Sequence, residues 1–94
     1  MRRYDEPIAV RSGEVSGAIG PVEFLWRRRL WKVLGVETTW RETADWWTSP
    51  GEDLLAESEI WRVLAAPSRA MVPGVYELAH PVSGDDWFLR AVLD

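Results

Sequence analysis

Between Phe24 and Trp47 the chain gathers five of its seven tryptophans and five of its eleven basic side chains into about a quarter of its length. Phe24-Leu25-Trp26 runs into Arg27-Arg28-Arg29 and emerges as Leu30-Trp31-Lys32-Val33-Leu34. Aromatic and β-branched side chains on both sides of a polar tip suit a pleated, half-buried surface, so the stretch reads as a hairpin with a positively charged tip. Its second arm continues through Val36, Thr38 and Trp40. The remaining sequence must supply the partner strands.

Ninety-four residues make one domain, spanning 1–94, near the lower limit at which a single core is self-sufficient. No cysteine braces it, which excludes disulfides and thiolate metal sites and leaves the cytoplasm as the default location. Large side chains must then build the core. Burying one aromatic ring removes roughly 150–250 Å² from water, about 4–6 kcal/mol as an upper estimate. Met1-Arg2-Arg3-Tyr4-Asp5-Glu6-Pro7 has no apolar run of the signal-peptide kind, and no later segment suits a bilayer span. The net charge of −4 argues against a general nucleic-acid coat, although the clustered arginines allow a local field of opposite sign.

Pro7 to Arg11 is a short candidate strand with the character of an edge, because its leading proline cannot donate to a ladder. Residues 12–21, with three glycines and a proline, read as a flexible connection. From Val22 the alternation is legible: Val22, Phe24 and Trp26 share one face, Glu23, Leu25 and Arg27 the other. Gly35 marks a bulge or bend that reconciles Trp31 and Val33 with Val36, Thr38 and Trp40. Trp46 and Trp47 cannot both point inward from one strand: either one caps the core and the other lies near the surface, or a turn separates them. Residues 52–66 fit a capped helix, or a helical turn over 52–57 followed by a strand from Glu59 to Ala65; the split is preferred because Trp61-Arg62-Val63 repeats the pattern of the first hairpin. Gly74 to Ala79 and Trp87 to Leu93 are the arms of a second hairpin. The fold class expected is mainly β: a small antiparallel meander of about six strands curling into a barrel or half-barrel, with at most one short helix.

Catalytic and metal chemistry find little support. His80 is the one histidine, and Ser83 and Asp85 beside it are more simply a turn. One histidine with scattered carboxylates matches no metal spacing, the adjacent acids Glu52-Asp53 and Asp85-Asp86 occupy cap or turn positions, and the Gly13, Gly17, Gly20 series is no phosphate cradle. No catalytic residue, cofactor or metal is therefore expected. The candidate binding surface is Trp26, Arg27, Arg28, Arg29, Trp31, Trp40, Arg41, Trp46 and Trp47. Arginine forks grip phosphate and indole faces stack on unpaired bases, while tryptophan with arginine is also the composition of protein-interface hot spots. The competing structural reading, favoured for both groups, is a charged, soluble hairpin tip over a complete aromatic core. Buried indoles need acceptors, for which Glu42 and Asp45 are candidates.

The order Glu6-Pro7, Phe24, Trp26-Arg27, Trp40-Arg41-Glu42, Trp46-Trp47, Trp61-Arg62-Val63, Gly74-Val75-Tyr76-Glu77-Leu78 and Trp87-Phe88-Leu89 resembles a family of small uncharacterised domains from actinobacteria and similar bacteria. The latter half is also similar to the C-terminal tail of ImuB-type Y-family polymerase homologues. That resemblance implies an adaptor near translesion synthesis and assigns no chemistry. The family tends to place glycine in the first hairpin turn, where this chain has Arg28, so a tip wider than two residues is expected. These readings lead to a non-catalytic protein-interaction module, with a setting in bacterial DNA repair or damage-induced mutagenesis. The alternative is weak single-stranded nucleic-acid binding through Arg27 to Arg29 and the neighbouring tryptophans.

Overall fold

A computed structural model describes residues 1–15, 17–43, 57–68, 71–82 and 84–93. Six antiparallel strands, β1 (Arg2–Val15), β2 (Ala18–Trp26), β3 (Arg29–Thr43), β4 (Glu57–Ala66), β5 (Gly74–Pro81) and β6 (Trp87–Leu93), close into a barrel in chain order. The expected meander is thus borne out, as is the strand over Glu59 to Ala65. The helical turn proposed over 52–57, like Asp45, Trp46 and Trp47, falls largely or wholly outside the described residues. No helix among the described residues is long and apolar enough to cross a membrane.

Alternation dictates the faces. Phe24, Val63, Ala65, Tyr76, Leu78, Trp87 and Leu89 form the buried cluster, and Tyr4, Ile8, Val10, Trp26, Trp31, Val33, Trp61 and Val92 pack against it. Four indoles from four strands therefore meet one interior, which is how so short a chain gathers enough apolar area. The bend foreseen at Gly35 is present as a register shift between Val33 and Gly35, with a second between Val36 and Thr38. These shifts let β3 leave β2 after Lys32 and follow β4 along its whole length.

Three expectations need correction. The first strand is not a short edge over Pro7 to Arg11 but fourteen residues long. It pairs with β6 from Arg2 to Ile8 and with β2 from Ala9 to Val15. In each half the strand has one ladder, so a proline without an N–H is tolerated at position 7. The segment 12–21 is not an irregular connection: Ser12 pairs with Pro21, Gly13 with Gly20 and Val15 with Ala18, and Gly17 takes the left-handed turn position at φ 83°. Finally, the basic tip is not wider than two residues. Trp26 pairs directly with Arg29, and Arg27 and Arg28 carry the left-handed angles, φ 51° and 63°.

Candidate functional site

The type I′ form of a two-residue hairpin turn takes positive φ at both central positions, as Arg27 and Arg28 do, a conformation that costs a side-chain-bearing residue about 1–2 kcal/mol. Arg27 offsets that cost through its packing. Its guanidinium lies 4.7 Å from the Trp26 ring centroid and 5.2 Å from that of Tyr4, and 3.6 Å from the Glu6 carboxylate. Glu6 also accepts the Trp26 indole N–H at 2.5 Å. Trp31 donates its own N–H to the Trp26 carbonyl at 3.3 Å, and its ring lies 5.2 Å from Tyr76. Both tryptophans of the tip are half-buried and their N–H groups are satisfied, as the structural reading expects.

Arg28 and Arg29 differ from Arg27. All three are exposed, but neither Arg28 nor Arg29 meets a carboxylate among the described residues. Trp26, Arg27, Arg29 and Trp31 line an open cleft of about 330 Å³ at this end of the barrel.

Trp40 and Arg41 do not join the tip. Trp40 lies on β3 beyond the bulges, donates its N–H to Glu42 at 2.8 Å and supports the Arg62 guanidinium 5.3 Å from its ring centroid. Arg41 is exposed beside Glu57 at 3.5 Å. The structure thus divides the proposed surface into a tip group and a β3 group. Glu42 is the acceptor foreseen for a tryptophan N–H. Burial pulls its carboxyl upward, but hydrogen bonds from Trp40 and Arg90 and the charges of Arg90 and Arg3 outweigh this and hold it below the ordinary carboxylate value.

Two groups escaped the sequence reading. On the face opposite the core, buried Glu77 receives Arg62 at 2.6 Å and lies 3.6 Å from Arg90, which reaches Glu42 at 2.7 Å. These residues belong to different strands, so no local pattern announces them. At the end of the barrel away from the tip, Glu59 and His80 are ladder partners 3.6 Å apart, and His80 stacks on Trp87 at 4.4 Å. With Ser12, Ile19, Gly20 and Trp61 they line a pocket of about 150 Å³. Among the described residues, no three acidic or histidine side chains are placed to hold a metal ion.

The outward face of the first three strands adds a feature of another kind. Ala9, Leu25 and Leu30 are direct cross-strand partners and form one exposed row, with both leucines about half exposed at 49% and 45%. Arg11, Glu23 and Lys32 form the next row, and Leu34 follows on β3 at 50% exposure. Arg11 binds Glu23 at 2.6 Å. Leu25 was readable as an outward residue from the alternation; its alignment with Ala9 depends on a pairing the sequence does not announce.

No curated protein and no solved structure matches the chain. A family model described as a domain of unknown function, DUF6504, matches residues 1–94, and with the whole length covered the chain belongs to that family.

Proposed function

We propose that this domain is a non-catalytic docking module whose contact surface is the outward face of β1, β2 and β3. The observation that carries the reading is the aligned, exposed row Ala9–Leu25–Leu30, with a further exposed leucine, Leu34, beyond the charged row Arg11–Glu23–Lys32. Apolar side chains gathered on a sheet face rather than scattered singly are a feature of interaction sites. Arg11, Glu23 and Lys32 border the row, and with Arg11 bound to Glu23 the exposed Lys32 supplies the charge left unmatched among the described residues. That balance fits a protein partner presenting apolar side chains among carboxylates. The setting we propose is bacterial DNA repair or damage-induced mutagenesis, supported by the likeness of the latter half to the ImuB-type tail.

The test places a photo-crosslinking residue at position 30 in the cell of origin, with a second version at Val82, which is 46% exposed in the turn between β5 and β6, at the other end of the barrel from Leu30. One protein adduct formed from position 30 and not from 82, and lost with Leu25→Asp in the same chain, is the expected result. Identical adducts from both positions, or persistence with Leu25→Asp, would remove the reading. Loss of the gene should lower mutation frequency after DNA damage; an unchanged frequency would separate the docking face from the repair setting.

A further inference from the structure

The tip end of the barrel carries a second chemistry, independent of the leucine face. Three consecutive guanidinium groups crown it, and among the described residues only Arg27 is matched, by Glu6 and the two rings beneath it. Arg28 holds a left-handed angle that glycine would adopt without cost, while exposed to solvent. Strain retained at an exposed turn, in a side chain that meets no carboxylate among the described residues, has no explanation in their packing. Beside it lies the cleft of about 330 Å³, within the roughly 300–1,000 Å³ typical of small-ligand sites. Its lining residues are Arg27 and Arg29 with the half-buried Trp26 and Trp31.

We infer that this end binds single-stranded nucleic acid, with one unpaired base entering the cleft and the flanking phosphates held by Arg28 and Arg29. Unpaired bases stack on guanidinium planes as well as on aromatic rings, and arginine forks suit phosphate oxygens. A duplex cannot deliver a base to the cleft without opening. The chain's net charge of −4 limits the contact to these few cations, so binding is weak and strongly salt-dependent.

Fluorescence anisotropy of the full chain with a labelled oligothymidylate of about 12 nucleotides, at about 50 and about 200 mM salt, tests this. Two phosphate contacts give a log–log salt slope of about −1.4, hence a loss of about sevenfold between those conditions. Arg28→Gly is the decisive variant. It relieves the turn and should raise the melting temperature by about 4–8 °C, yet it should weaken binding and bring the slope to about −0.7. Arg29→Gln should do the same to the slope. A better-folded protein that binds less well separates recognition from structure. Absence of binding at the lower salt, or Arg28→Gly and Arg29→Gln binding as the parent does, overturns the proposal. Equal affinity for a duplex of the same length, or displacement by inorganic tripolyphosphate as effective as by the unlabelled oligonucleotide, overturns the role of the base and the cleft.

Discussion

The two ends of the barrel hold their tryptophans in opposite ways. At the tip, the Trp26 indole donates to Glu6, Trp31 donates to the Trp26 carbonyl, and Arg27 covers the Trp26 ring. At the far end, Trp61 rests against the backbone of Gly20, and its N–H is buried with no acceptor among the described residues. Trp87 is covered by His80. Position at the tip is fixed by directional polar contacts, whereas the far end is fixed by shape, which makes one end sensitive to lost hydrogen bonds and the other to added volume.

The largest expected effect breaks the shape-fixed end. A Cβ built on Gly20 would stand 2.8 Å from two carbons of the Trp61 ring, closer than packed atoms tolerate. Gly20→Val should therefore cost about 2–3 kcal/mol, a fall in melting temperature of about 10–20 °C for a chain of this size. Gly35→Ala is the control, since a Cβ there meets nothing within 4 Å. Equal melting temperatures for Gly20→Val and Gly35→Ala would show that the hairpin of β1 and β2 does not depend on a close seat against Trp61.

A smaller effect compares the ends directly. Trp26→Phe keeps an aromatic ring but removes the donor to Glu6, with an expected loss of about 1–2 kcal/mol. Trp61→Phe removes an N–H that has no acceptor, so the relieved polar group offsets the lost ring volume and the net change should stay within about 1 kcal/mol. Denaturant titrations of the two variants give the contrast. If Trp61→Phe proves the more damaging, the far end also relies on a directional contact.

The same contrast explains what the sequence could announce. Alternation over Val22 to Trp26 and Leu30 to Leu34 is a local signal: it set Phe24 with Trp26 and Trp31 with Val33 on shared faces, and those faces are the ones that meet the core. Gly35 signalled its bend because a bulge is also local. Gly13, Gly17 and Gly20 suggested an irregular loop because glycine carries several meanings. Only Gly17 serves a turn, while Gly20 admits the ring of Trp61, a residue on another strand. Arg28 suggested a wide turn because the compensating contacts of Arg27 with Tyr4 and Glu6 come from β1. The site followed the same division: the tip group was legible as adjacent residues, whereas the Ala9–Leu25–Leu30 row and the Glu77 ion cluster require the register between strands. Trp46 and Trp47 lie outside the described residues.

The smallest effect concerns acid. Glu42, on the arm of β3 that runs with β4 toward Pro81, is a carboxylate whose affinity for a proton falls on folding, because Trp40 and Arg90 bind its charged form. A carboxyl held below its unfolded value of 4.5 contributes stability above that pH and loses the contribution as pH falls through its folded value. Glu42→Gln should thus reduce stability near neutrality by less than about 1 kcal/mol, since the group is partly exposed, and have little effect once the acid limb has been descended. Chemical denaturation across the range from neutrality to about pH 3 reads the difference. Curves that stay parallel throughout would mean that the Trp40 and Arg90 contacts do not favour the charged form of Glu42.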